Sequence, residues 1–291
     1  ESVVMRILDK ASVVLDFETL GFSPHTLKRF LNVLTMPHGI IVVTGPTGSG
    51  KTTTLYTALQ TLNTPERKIL TVEDPVGYQL EGINQIQVKA QINLTFANAL
   101  RSIVRQDPDV IMIGEMRDLE TAAIAVQSAL TGHLVLSTLH TNDAAGGVTR
   151  LLDMGVDDYL LTSTINGILA QRLVRLLCLH CRQPYPALPE LVEEMRLRRF
   201  SDSGDILLYK AVGCELCGGT GYRGRAAIME FLTMSDPLRR LVLKHADATT
   251  LQAEAQQEGM ETLYEDGLRK AVAGTTTLEE VLRVTTQQEQ E

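Results

Sequence analysis

The octapeptide Gly45-Pro46-Thr47-Gly48-Ser49-Gly50-Lys51-Thr52 constrains this chain more than any other stretch, because it fits Gly-x₄-Gly-Lys-Thr in a strand-to-helix setting. An apolar run over 39–44 predicts the strand before it, and 53–62 reads as the helix after it. Glycines let backbone N–H groups fold around phosphate oxygens, and the helix N-terminus adds unpaired donors with a partial positive charge. In such a loop Lys51 reaches the β- and γ-phosphates of a nucleotide and Thr52 ligates Mg²⁺. Gly45, Pro46, Thr47, Gly48, Ser49, Gly50, Lys51, Thr52 and Thr53 are therefore the candidate nucleotide-binding residues.

A phosphate loop needs a sheet to hold it, and the region 13–176 alternates short β-branched runs with amphipathic segments, the pattern of an α/β domain with a largely parallel sheet. Strands are expected over 40–44, 68–72, 110–113 and 134–137, with helices over 96–105 and 119–130. Ligands of such sheets gather at the carboxyl ends of the strands. There the chain places Glu73-Asp74-Pro75, then Gly114-Glu115-Met116-Arg117-Asp118, then His140-Thr141-Asn142-Asp143. Phosphoryl transfer to water needs a carboxylate to orient or deprotonate that water and acidic support for the metal. Glu115, directly after an apolar strand, is the leading candidate for that carboxylate. His133 opens a strand, where an imidazole also serves simply to bond a backbone group; His140 lies beyond the strand's end.

The four cysteines form a separate signal. Cys178 and Cys181 make one C-x₂-C pair and Cys214 and Cys217 a second, 32 residues apart, with no cysteine left over. Paired units of this kind favour tetrahedral zinc, and four thiolates leave no open position, so the metal is expected to be structural. His180 is a possible substitute ligand. Within the intervening stretch 191–200 reads as a charged helix with Arg196, Arg198 and Arg199 on a solvated face. Beyond residue 235, four helices are expected over 237–244, 249–258, 262–273 and 277–284, packed on the core, and the polar end 287–291 is expected to be disordered.

The 291 residues include 27 Lys and Arg against 35 Asp and Glu, a net charge of −8 with few aromatics. That balance argues against a nucleic-acid track lined by basic and stacking side chains. No apolar run approaches the roughly 20 residues needed to span a bilayer, and no signal peptide opens the chain, so a cytoplasmic protein is expected.

Taken together, GPTGSGKTTT at 45–54, TVEDPV at 71–76, RQDPDVIMIGEMRD at 105–118, TGHLVLSTLHTNDAA at 131–145, LAQRLVRLLC at 169–178 and CELCGGTGYRGR at 214–225 resemble the type II secretion and type IV pilus assembly ATPases. The resemblance implies a RecA-like core of a homohexameric motor, with a tetracysteine zinc module at 177–231 and a helical C-terminal segment at 232–291. It implies catalysis by Glu115 and Lys51, metal or water positioning by Glu73 and Asp74, and γ-phosphate sensing by His133 and His140. ATP, Mg²⁺ and structural Zn²⁺ are the implied cofactors. The implied task is pseudopilus assembly in type II secretion, with type IV pilus extension as the alternative, at the inner membrane through platform proteins. Two positions depart from the family pattern: Gly77 and Ala123 stand where acids are common. Residues 1–12 are expected to be the remnant strand and linker of an upstream domain. In the family that domain supplies arginines to a neighbouring subunit's nucleotide, so the chain alone is expected to bind ATP and turn it over slowly.

Overall fold

The computed structural model describes residues 15–201 and 205–286; the strand expected near the N-terminus and the tail 287–291 lie outside the described residues. In chain order the elements are α1 (Phe17–Leu20), α2 (Pro24–Leu34), β1 (Gly39–Thr44), α3 (Lys51–Leu62), β2 (Ile69–Glu73), β3 (Asn84–Gln87), α4 (Phe96–Ile103), β4 (Val110–Ile113), α5 (Leu119–Leu130), β5 (Leu134–Leu139), α6 (Ala144–Asp153), α7 (Asp158–Thr164), β6 (Ile165–Leu177), β7 (Gln183–Pro186), α8 (Pro189–Glu194), β8 (Leu207–Lys210), β9 (Tyr222–Thr233), α9 (Asp236–Leu243), α10 (Ala248–Gln257), α11 (Leu263–Val272) and α12 (Leu278–Thr285).

Seven strands form one sheet in the order β3-β2-β4-β5-β1-β6-β9. Every neighbouring pair is parallel except β6 and β9, which pair antiparallel along most of their length. Strands β1, β2, β4 and β5 are buried throughout, as their near-continuous apolar sequences require of a parallel sheet covered on both faces. Alternation along each strand splits the core in two. Ile40, Val42, Val72, Ile111 and Val135 face α4 to α7, α9 and α10, whereas Ile41, Val43, Ile69, Met112 and Leu136 face α2 and α3. Because the central strands run one way, the chain following β1, β2, β4 and β5 emerges at a single edge.

Three expectations are corrected. The boundary at 231/232 falls inside β9, which belongs to the main sheet; only the stretch between β6 and β9 leaves it, carrying the small β7–β8 ladder. The helix expected over 191–200 ends at Glu194, and Arg196 takes φ +50 before a 3-10 turn at Leu197–Phe200. Val192 and Leu197 are both buried in one cluster with Leu268 and Val281. Five residues apart, they could not share one face of a continuous helix of 3.6 residues per turn, so the break re-aims Leu197. Likewise the helix expected to reach residue 105 gives way at Ile103 to a 3-10 turn that ends on Asp107 at φ +52.

The C-terminal helices occupy the expected segments, each starting behind a polar cap: Ser235, Asp247, Thr262 and Thr277 accept from backbone N–H groups of the first turn. Helices α9 and α10 pack on α6 and α7, while α11 and α12 join the cluster beneath the β7–β8 ladder. No helix among the described residues is long and apolar enough to cross a membrane.

Candidate active site at the carboxyl edge of the sheet

The loop between β1 and α3 is built around glycine. At Gly45, φ is +145 and a Cβ would lie 2.4 Å from the Gln171 carbonyl oxygen, so the loop can press against β6 only without a side chain. Gly50, at φ +91, precedes α3 and offers no side-chain cap, leaving the first-turn N–H groups open to an anion. Ser49 Oγ is buried and has no hydrogen-bond partner. Such an orphaned hydroxyl inside a ring of glycines fits a loop that closes on phosphate oxygens. Lys51 Nζ donates to the carbonyls of Gly45 (2.7 Å) and Pro46 (3.0 Å), and burial lowers its pKa against the opposing pull of Glu115.

Gln171 fastens this loop to β6. Its Nε2 donates to Ser49 O at 2.7 Å and its Oε1 accepts from Thr54 Oγ1 at 2.8 Å. Gln171 belongs to no local motif; its one signal in the sequence is an amide interrupting the apolar residues of 165–177.

Lys51, Thr52, Thr53, Glu73, Asp74, Glu115 and His140 line one cleft of ≈ 750 Å³, within the range of small-molecule sites. Glu115 is set by the strand ends around it: Gly114 N donates to Val72 O, Met116 N to Thr138 O, and Thr138 Oγ1 to Gly114 O at 2.6 Å. Its carboxylate is largely buried, 2.5 Å from the Arg117 guanidinium and 3.6 Å from His140 Nε2. Arg117 is mostly exposed, so that pair is free to open at little cost. Burial, reinforced by Lys51, lowers the pKa of His140 despite Glu115, which favours a neutral imidazole at neutral pH.

The two residues of the Glu73-Asp74 pair part ways. Glu73 is buried, and its oxygens accept from Tyr56 Oη, Thr71 Oγ1 (2.5 Å) and Gln85 Nε2 (3.1 Å). Burial first, and then Glu73, raises the phenol pKa of Tyr56, and the same two causes push Tyr78 up to about 12. Glu73 is thus tied into the scaffold between α3, β2 and β3, and Asp74, exposed beside a cis Asp74-Pro75 peptide, is the carboxylate turned to solvent.

His133 does not join them. It precedes β5, so the six-residue strand separates it from the cleft by roughly 20 Å at about 3.3 Å per residue. Its Nδ1 bonds the Ser128 carbonyl at 2.8 Å, closing the end of α5. A phosphate contact from His133 within its own chain is ruled out by this placement, and backbone bonding is its observed task.

At the far end of β6 the four cysteines converge. Their Sγ atoms all lie within 4.8 Å of one another, with separations of 3.8 Å (Cys178 to Cys214), 3.9 Å (Cys181 to Cys217) and 3.7 Å (Cys214 to Cys217). Four thiolates about 2.3 Å from a tetrahedral metal stand about 3.8 Å apart. Backbone N–H groups of Gly213 and Gly221 point at Cys181 Sγ and Cys217 Sγ, as ligand thiolates require. The donor set and spacing fit a closed tetrathiolate site, and His180 is exposed, outside the cluster.

Comparison with known proteins places this arrangement in context. The family model described as type II/IV secretion system protein matches residues 1–283. The chain is 66% identical over 285 residues to the type II secretion system protein E of Xanthomonas campestris pv. campestris, covering 98% of this chain and 50% of that protein. It is 51% identical over 282 residues to the type IV pilus assembly ATPase PilB of Thermus thermophilus, covering 97% of this chain and 32% of the relative. Among solved structures, the pilus retraction motor PilT with bound ADP superposes with a TM-score of 0.67 at 29% identity, over 96% of this chain and 68% of that one. The chain spans about half the length of the type II secretion protein it matches.

Proposed function

We propose, for a chain that belongs to the type II/IV secretion system protein family, the function of an ATP-hydrolysing RecA-like motor that works as a hexamer to drive pseudopilus assembly in type II secretion. The observation that carries the reading is the meeting, in one cleft, of the glycine loop with its buried orphan hydroxyl and the carboxylate of Glu115. Backbone N–H groups of residues 48–52 hold the phosphates, and Lys51 exchanges its two loop carbonyls for β- and γ-phosphate oxygens. Glu115 accepts the proton of the attacking water, and neutral His140, beside it, reports the γ-phosphate by hydrogen bonding. Thr52 with Asp74, the latter directly or through water, would hold Mg²⁺, which supplies charge neutralisation on the β- and γ-phosphates. Glu73 orients this edge from behind. The cysteine cluster would hold a structural Zn²⁺ that clamps the excursion between β6 and β9.

On this reading the motor works at the cytoplasmic side of the inner membrane, held there by platform proteins of the secretion machine. The 66% identity to a type II secretion protein favours that branch. Pilus extension is the second reading, favoured by the 51% identity to PilB, which equals that of the type II secretion ATPase of Vibrio cholerae. Direct ATP titration alongside phosphate release tests the core of the proposal. Lys51→Ala should abolish turnover, and Glu115→Gln should keep ATP binding while losing turnover by the roughly 10²–10⁴-fold typical of a general base. Parental hydrolysis by Glu115→Gln would remove Glu115 from this role.

A further inference from the structure

The loop that carries His140 is held from below by two buried ionisable side chains on the last two strands of the sheet, β6 and β9. Arg172, on β6, donates from Nη2 to Asn142 Oδ1 and from Nη1 to the Val284 carbonyl in the last turn of α12, both at 2.9 Å. Glu230, on β9, accepts from Ala144 N (2.7 Å) at the start of α6 and from Leu263 N (3.1 Å) at the start of α11. Each side chain therefore grips the loop between β5 and α6 with one arm and the C-terminal helices with the other. Both are buried, Arg172 at 7% and Glu230 at 2% exposure; Arg172 attracts Asp143 and Glu230, whereas burial first, and then Asp143, push the Glu230 carboxyl up to about 7.

Ordinary stability does not call for this arrangement. A buried guanidinium and a buried carboxyl cost desolvation that apolar residues would avoid, and Arg172 Nε remains buried with no partner. What the pair provides is a rigid link, because a guanidinium fork and a two-oxygen carboxylate each fix two partners at once. We infer that Arg172 and Glu230 are positioning residues that couple the placement of α11 and α12 to the His140 loop, so that the C-terminal helices set the geometry around Glu115. This rests on the ATPase reading for its functional half, since His140 and Glu115 are the groups positioned.

The direction of the coupling follows from the packing. Helices α11 and α12 sit in the cluster with Val192, Leu197 and Leu208 under the cysteine excursion. A displacement of that excursion is thus delivered to the His140 loop through Arg172 and Glu230, without passing through the phosphate loop. The nucleotide's phosphates would be bound as before, and the groups that act on water would be misplaced.

The test uses Asn142→Ala, which cuts the loop-side arm of Arg172 while leaving its bond to α12, together with Arg172→Gln. Two readouts are followed in the full-length protein: amide hydrogen exchange over 139–145, and kcat with a separately measured ATP dissociation constant. We expect Asn142→Ala to raise exchange in that loop at least tenfold, to lower kcat roughly tenfold, the size of one lost charge-assisted hydrogen bond, and to leave ATP affinity within twofold. The double variant Asn142→Ala/Arg172→Gln should show no further loss of kcat beyond Arg172→Gln. Unchanged loop exchange in Asn142→Ala overturns the inference, whatever the activity; so does additive loss in the double variant. A parent protein that releases no phosphate instead overturns the ATPase reading, and the exchange measurement still decides the link.

Discussion

Tyr56→Phe isolates the grip on Glu73, because the replacement keeps the ring and removes one oxygen. Tyr56 Oη donates to the buried Glu73 carboxylate and accepts from Gly77 N (3.1 Å) and Gln85 Nε2 (3.3 Å). Its ring meets Tyr78 edge-on at 4.6 Å between centroids, a contact phenylalanine retains. A hydrogen bond to a charged group contributes about 1.5–3 kcal/mol, and leaving Gly77 N–H short of a partner adds about 1 kcal/mol. Gln85 and Thr71 still reach Glu73, which limits the loss, so about 2–4 kcal/mol is expected. At about 2–4 °C per kcal/mol for chains above 150 residues, the melting temperature should fall by roughly 4–16 °C. Thermal unfolding of the two proteins, with ATP titration at a temperature where both are folded, measures the effect. ATP affinity should stay within a few-fold, since Glu73 contacts scaffold. A melting temperature within 1–2 °C of the parent, or a complete loss of ATP binding by folded Tyr56→Phe, would refute the view that Glu73 is a scaffold carboxylate held from α3 (thresholds set by the same scaling).

Metal analysis of protein purified without added zinc should find one zinc per chain, and removing it should raise hydrogen exchange over 178–221 with ATP binding preserved. A stoichiometry near zero in reduced, folded protein would dismiss the tetrathiolate site. Glu280 offers a pH test: burial raises its pKa, but hydrogen bonds from Arg283 and from the side chain and backbone of Arg175 outweigh that and hold it at about 2. A depressed carboxylate stabilises the fold above its unfolded pKa of about 4.3, and the contribution disappears as pH falls through about 2. The shift corresponds to roughly 3 kcal/mol at most, and solvent screening of the half-exposed arginines reduces it to about 1.5–2 kcal/mol. Glu280→Gln should therefore be less stable than the parent by that amount at pH 7, with the gap narrowing below about pH 4.5. A gap that widens on acidification would contradict this account.

How much of this could be read from residues alone follows the range of the interactions. The phosphate loop is local: glycine spacing, the strand before it and the helix after it lie within two dozen residues. The C-terminal helices were legible because Ser235, Asp247, Thr262 and Thr277 announce each start and apolar spacing carries each one on. Glu115 and Asp74 were legible because parallel strands deliver their following residues to one edge. That rule, applied strictly, also excludes His133, which comes before its strand. Gln171, Arg172 and Glu230 were opaque for a different reason. Their partners lie 30 to 122 residues away; the pairing of β6 with β1, Thr44 opposite Ala170, brings Gln171 and Arg172 under the site, and the register of β6 against β9, Ala170 opposite Glu230, adds Glu230. The second break, at Arg196, depended on which two side chains a distant helix would bury.

The return of the chain as β9 makes the cysteine region a cassette. Leu177 and Tyr222 face each other across the β6–β9 ladder, so the excursion departs and re-enters at neighbouring backbone positions, about 5 Å apart. The described residues of 178–221 hang from a hairpin mouth that a tight turn could close. The sheet would keep β6 and β9, and with them Gln171, Arg172 and Glu230. The cluster shared with α11 and α12 would need a new cover, and Glu265, Arg269 and the Gly274 carbonyl new partners. A lineage could thus gain or shed the cassette without redrawing the nucleotide cleft, and an engineer could exchange it for a different adaptor on the same engine.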